Sequence, residues 1–188
     1  RIANKIACTT ETSETACGFV VEFADIITKQ KFNNTDTNVG GWRDSELRTY
    51  INGTIYNALP SDLQNVITTT RVVSGHGSTA GEANFETQDK LYLLSGHEVY
   101  EDGANHRISI QDTSYNTTKQ LDYYKNHGIT TDNYDKAKKQ YNGSDEAWWL
   151  RSADSDGSGG FISVYESGDY SYYIADNDYG VSPAFRIA

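Results

Sequence analysis

The spacing of apolar positions changes several times along the chain. From Gly18 the run GFVVEFADIIT is dense in β-branched and aromatic side chains and predicts one or two strands. A polar loop, KQKFNNTDTNVGG, follows. In WRDSELRTYINGTIYNALPSDLQNVI the period becomes helical: Leu47, Tyr50, Ile51, Ile55 and Leu59 share a face, with Asp44 or Ser45 placed as N-cap. Pro60 ends that amphipathic helix, and Ser61 can cap a second, short one carrying Leu63, Val66 and Ile67. Gly53 is a poor helix former in the middle of the first. TTTRVVSG then reads as a strand, HGSTAGEANFETQ as a loop, and KLYLLSGHEVY as a strand running into a turn. The polar region from Glu101 to Gly143 predicts a long surface excursion with one helical segment at Asn133 to Tyr141. Four short apolar runs close the chain, EAWWLRS, GGFISVYESG, SYYIA and GVSPAFRIA, separated by Gly, Asp and Asn turns, and predict an antiparallel meander. Helices early, strands late and no strand–helix alternation define an α+β class, with two helices packed on antiparallel sheets.

Composition narrows the partners. The 188 residues suit one domain, spanning residues 1–188, with a core of its own. A net charge of −10 opposes nucleic-acid or anionic-lipid binding, which needs clustered Lys and Arg. No apolar run reaches the roughly 18–20 residues that span a bilayer, so no direct membrane insertion is expected. The chain begins at Arg1 and contains no Met, so a leader or further N-terminal region is expected upstream. Cys8 and Cys17 could close a hairpin with a disulfide or remain two buried thiols; spacing leaves both open. The Asn, Thr, Ser, Tyr and Gly content leans toward a secreted or surface-exposed protein.

Catalytic and metal chemistry find little support. His76, His97, His106 and His127 fall in predicted loops without a two-ligand spacing, and are expected to face solvent. No nucleophile elbow, P-loop or dinucleotide fingerprint occurs. Asp154 to Gly157 (DSDG) and Asp176 to Asp178 (DND) could coordinate calcium, but an EF-hand loop would place a Glu at its twelfth position, counting the first Asp as position one. Tyr165 and Ile187 stand there instead, so Asp-and-Gly turns are the expected role. No cofactor is expected.

The segment between AWWLRS and GVSPAFRIA is built mainly from Ser, Asp, Gly and Tyr. Strand alternation in GGFISVYESG would bury Ile162 and Val164 and leave Ser163 and Tyr165 free. Tyr supplies large, rigid contact area and Ser, Gly, Asn and Asp supply adaptable hydrogen bonding, the composition of antibody loops. The expected ligand-binding surface, residues 154–182, has Tyr165, Tyr170, Tyr172, Tyr173 and Tyr179 as anchors. Around them stand Asp154, Asp156, Ser158, Ser163, Asp169, Ser171, Asp176, Asp178 and Ser182. Trp148, Trp149, Leu150 and Phe185 are expected to be buried beneath it.

A resemblance rests on particular blocks: Trp148-Trp149-Leu150-Arg151-Ser152, Gly168 and Gly180-Val181-Ser182-Pro183-Ala184-Phe185-Arg186, with Gly41 to Arg48 (GWRDSELR) and Leu91 to Ser95 (LYLLS) upstream. From about Gly41 onward the chain resembles a bacterial domain family of unassigned function, similar to the formylglycine-generating-enzyme branch of the C-type lectin fold. Ser182 stands where that family usually carries Arg. Some members of the fold are variable proteins of diversity-generating retroelements, whose C-terminal ligand-binding surface is rewritten at adenines. Asn codons rewritten in this way yield Asp, Tyr, Ser, Gly, His, Thr or Ile, which dominate Asp154 to Tyr179. The resemblance implies a non-enzymatic domain on a bacterial cell surface or phage particle that binds a protein or glycan ligand. It does not extend to formylglycine generation, which uses paired cysteines in the C-terminal half, nor to calcium-dependent sugar binding, since Pro60 and Pro183 lie in Leu-Pro-Ser and Ser-Pro-Ala. A hydrolase-type enzyme on the same frame and a structural module of a larger surface protein are the alternatives.

Overall fold

The computed structural model describes residues 1–9, 13–75, 84–101 and 119–187. Its class is α+β, dominated by sheet. The two ends of the chain meet in one sheet: β1 (Ile2–Asn4), β2 (Phe19–Glu22), β13 (Ala184–Ile187) and β4 (Ile67–Thr68) lie in the order β1-β2-β13-β4. Phe185 pairs with Val21 and Arg186 with Thr68, so the GVSPAFRIA block closes the fold rather than continuing the meander. A disulfide joins Cys8 to Cys17 in the segment between β1 and β2.

The second sheet has five strands in the order β11-β10-β9-β12-β3: β11 (Tyr170–Ile174), β10 (Gly160–Val164), β9 (Trp148–Ala153), β12 (Asp178–Val181) and β3 (Thr28–Lys31). Strands β9, β10 and β11 form the expected antiparallel meander. Strand β12 instead crosses back to lie parallel to β9, with Gly180 beside Trp148, and the edge strand β3 pairs antiparallel to β12. A side chain at Gly180 could not fit this crossing, because its Cβ would lie 2.5 Å from Ile26 Cδ1 and 2.8 Å from the Ala147 carbonyl.

The helical segment forms as expected, with a different interior. After α1 (Gly41–Asp44), the Ser45 hydroxyl accepts a hydrogen bond from the Arg48 N–H at 3.1 Å and starts α2 (Glu46–Tyr50). The chain then widens into a π-helical turn, Ile51–Ile55, before α3 (Tyr56–Ala58). Leu47, Ile51 and Ile55 bury one stripe throughout. In α4 (Ser61–Val66) the N-cap is Pro60, and Ser61 lies inside the first turn without capping it.

Other expectations change. TTTRVVSG begins at the last residue of β4 and contains β5 (Thr70–Ser74), but β6 (Phe85–Asp89) occupies the end of the expected loop and pairs with β5. Its inward face is polar, which hid it: buried Thr87 and Asp89 face in because Asp89 Oδ2 accepts from the Trp42 indole at 2.9 Å and Oδ1 from Arg48 Nε at 2.7 Å. KLYLLSGHEVY forms no strand beyond a Tyr92–Ala184 bridge; it ends in α5 (Gly96–Val99). A reciprocal capping box of Ser95 and Glu98 holds that helix, a Ser-x-x-Glu signal present in the sequence. His97 lies in α5 and is buried, not solvent-facing, whereas His127 is exposed; His76 and His106 fall outside the described residues. Asn133 to Tyr141 is not one helix: Asp135–Ala137 makes a single 3-10 turn and Lys139–Tyr141 is β7, paired with β8 (Ser144–Glu146). The nearby helix is α6 (Asp122–Asn126), and Leu121, Tyr124 and Ile129 are buried, so this part of the expected excursion belongs to the core.

Two buried ionic knots tie the sheets together. Arg151, on β9, donates through its guanidinium to both Glu98 carboxylate oxygens, at 2.6 and 2.8 Å, and to the Leu93 and Val73 carbonyls. Lys139 donates to Glu22 Oε2 (2.7 Å), the Phe23 carbonyl (2.8 Å) and Ser182 Oγ (2.7 Å), while Arg1 Nε holds the other Glu22 oxygen at 2.8 Å. Burial pushes Lys139 down to about 8 despite Glu22; for Glu22, burial opposes ionisation, but Lys139 and Arg1 outweigh it and hold the carboxyl below its usual range.

Candidate functional site

Trp148, Trp149, Leu150 and Phe185 are all buried, as expected of the frame. Trp149 opposes Ser163 across β9 and β10, and Ser163 opposes Ser171 on β11, so these three form one row on one face of the sheet. On that face the Trp149 indole donates to the Gln30 carbonyl at 2.9 Å and meets Phe32 edge-on, with centroids 5.4 Å apart. Its other edge-on neighbours are Tyr179, at 5.1 Å, and Tyr173, at 6.4 Å. Tyr173 stacks on Tyr179 at 4.0 Å and on Tyr165 at 5.8 Å, giving a ladder of three phenol rings across the sheet. Burial raises the Tyr173 and Tyr179 phenols, so these two rings are neutral at physiological pH. The outer ring, Tyr165, is 38% exposed.

The expected anchors therefore divide between two faces. Tyr165, Tyr173 and Tyr179 stand together, with Ser171 beside them. Tyr170 and Tyr172 alternate to the other face of β11, where Tyr170 meets Tyr100 edge-on at 6.2 Å and Tyr172 is exposed. Ser163 is not free: both faces of β10 are covered, and its hydroxyl is fully buried. Asp154 is also buried, in the turn after β9, where its Oδ1 accepts from the Asp156 N–H at 3.1 Å. Ser182 is buried between Lys139 and the Phe23 carbonyl and belongs to the ionic knot. These three are corrections to the expected contact set. Asp156, Ser158 and Asp178 are exposed, and Asp169 and Asp176 half-buried, in turns or at strand ends around the sheet.

Two supporting residues were not anticipated. Asn38 aims one amide nitrogen at the carbonyls of Asp154 (3.2 Å), Gly157 (2.7 Å) and Gly160 (3.0 Å), holding the 154–160 turn from below. Phe32 stacks on Phe161 with centroids 3.5 Å apart and closes the underside of the Trp149 ring. Both lie in KQKFNNTDTNVGG, whose polarity marks a loop and gives no sign that it packs beneath a sheet.

Among the described residues Lys139 donates to the Ser182 hydroxyl, and both side chains of this pair are buried. Among the described residues no three His, Cys, Asp or Glu side chains come close enough to hold a metal ion, and no helix is long and apolar enough to cross a membrane. What the arrangement offers is contact: a neutral aromatic ladder on a rigid sheet, bordered by exposed carboxylates and hydroxyls.

Fold and site thus define an α+β protein with an aromatic, partly exposed sheet face. Over residues 19–188 the chain matches a family described as a domain of unknown function, DUF6273, and it belongs to that family. No curated protein and no solved structure matches it.

Proposed function

We propose that this is a non-enzymatic ligand-recognition domain of C-type-lectin-like fold, acting on a bacterial cell surface or phage particle. The observation that carries the reading is the ladder Tyr165–Tyr173–Tyr179 held over buried Trp149. Aromatic side chains locked by neighbours lose little entropy on binding, and their neutrality suits a protein or glycan surface. Pairing of the first and last strands through β2 and β13 supports the lectin-like frame, and the Cys8–Cys17 disulfide supports an oxidising, extracellular setting.

The retroelement reading follows the same geometry, with a narrower set of replaceable positions. Asp156, Ser158, Tyr165, Asp169, Tyr172, Tyr173, Asp178 and Tyr179 would vary, while buried Asp154, Ser163 and Ser182 would stay with the frame. Two measurements test the proposal. Binding of the purified chain to arrayed glycans and cell-surface proteins should include at least one signal that Tyr165→Ser/Tyr173→Ser loses, and retention of every wild-type signal by that variant refutes the aromatic face as the site. Sequencing the locus across related isolates should confine substitutions to the positions above; substitutions spread evenly over the chain refute the variable-surface reading.

A further inference from the structure

The chain carries a second concavity that the aromatic ladder does not explain. It is an open cleft of about 640 Å³ between the edge strand β3 and the helix of residues 46–58. One wall is a stripe at helical spacing, Glu46, Thr49, Tyr50, Gly53, Thr54 and Asn57, and Gln30 faces it from β3. A smaller apolar compartment of about 310 Å³ continues from it past Tyr50 and Thr54 to Ile27 and Leu59.

Gly53 is the informative residue. It does not have a positive φ, and a Cβ built on it would meet nothing within 4 Å, so neither backbone conformation nor packing requires glycine. Glycine is nonetheless costly inside a helix. It sits at the centre of the π-helical turn, an irregularity that recurs at functional sites, and leaves bare backbone in the cleft wall. An open position that glycine does not need for folding fits a surface that something approaches closely.

The lining says what that is. Among the described residues no Lys, Arg or His lines the cleft, which disfavours phosphates and carboxylates. The Gln30 and Asn57 amides and the Thr54 hydroxyl make no hydrogen bond to the described residues, whereas the amides of Asn33, Asn38 and Asn52 hold backbone. Glu46 is oriented by Asn34, whose N–H donates to Oε1 at 3.0 Å and whose side-chain amide donates to Oε2. A fixed carboxylate, two free amides, hydroxyls and the half-buried Tyr50 ring match the alternating hydroxyls and C–H face of a sugar.

We infer that this cleft binds a neutral sugar, laid against the bare backbone of Gly53 with an apolar substituent toward Ile27 and Leu59. Gln30 pairs with Tyr179 across β3 and β12, so the cleft adjoins the tyrosine ladder, but no ring of the ladder lines it and the inference does not rest on the ladder. The probes are p-nitrophenyl glycosides of neutral hexoses and N-acetylhexosamines, with sialyllactose as the charged control, titrated calorimetrically. At least one neutral glycoside should bind, and Gly53→Ala should weaken it at least tenfold while raising Tm by about 2–4 °C through helix propensity alone. Asn57→Ala should weaken it without lowering Tm, and Tyr165→Ser/Tyr173→Ser should leave it within twofold. Absence of binding by every neutral glycoside, tighter binding of sialyllactose, or unchanged affinity in Gly53→Ala overturns the inference. Loss confined to the tyrosine variant also overturns it, and places sugar binding on the sheet face instead.

Discussion

Trp149→Ala separates a load-carrying frame from an exchangeable surface. The indole is fully buried, touches Phe32, Tyr173 and Tyr179 edge-on, and donates to the Gln30 carbonyl. Truncation of a buried Trp costs about 3–5 kcal/mol, which already includes much of the edge-on pairing, and the orphaned carbonyl adds about 1 kcal/mol when water cannot reach it. With β3 at the sheet edge, water relieves part of that loss, so the expected cost is about 4 kcal/mol, or a Tm lowered by about 8–16 °C for a chain of this size. The control is Tyr172→Ser: Tyr172 is 43% exposed, and its replacement should cost no more than about 1 kcal/mol. Urea unfolding followed by tryptophan fluorescence, with Trp148 and Trp42 as remaining reporters, gives both values. A cost below about 1 kcal/mol for Trp149→Ala, or equal costs for the two variants, refutes the division between frame and surface. Tyr173→Ser should fall between them, because Tyr173 packs on Trp149 and Tyr179 as well as facing outward.

Three further outcomes are expected. Arg151→Met strands the Glu98 carboxylate in the core and should cost about 3–5 kcal/mol, while Arg151→Met/Glu98→Leu, which removes both charges, should be more stable than the single variant in urea unfolding. Cys8→Ala/Cys17→Ala opens a loop with a sequence separation of 9, and chain entropy predicts a loss of about 2–3 kcal/mol, measurable against the oxidised protein by calorimetry. Glu22 ionises in the folded chain below its unfolded pKa of about 4.3, so its stabilisation is complete above that pH and fades as pH falls through the folded value. Glu22→Gln should therefore flatten the acid limb of a stability–pH curve, and an unchanged limb would show that the Lys139–Arg1 knot contributes nothing there.

The helix of residues 46–58 was legible because a 3.6-residue apolar period and a Ser cap are local signals, readable without knowing what the helix packs against. The burial of the WWL block followed from side-chain size, and β9 to β11 from apolar runs bounded by turns. Strand β6 failed that reading because its inward positions are Thr and Asp, buried to meet Trp42 and Arg48 from distant segments. The α5 capping box was present but masked by the apolar run ahead of it.

The amino-acid order alone determined the class, the helical face, the buried indoles and the unusual Tyr, Ser and Asp content between two apolar blocks, since period, size and composition act over a few residues. Which tyrosines share a face was decided only by the tertiary structure. Alternation along β11 separates Tyr172 from Tyr173, but only the return of β12 parallel to β9, a non-local pairing, brings Tyr179 onto the Tyr173 side. Burial of Ser163, Asp154 and Ser182 is decided in the same way, by what the rest of the chain lays over them.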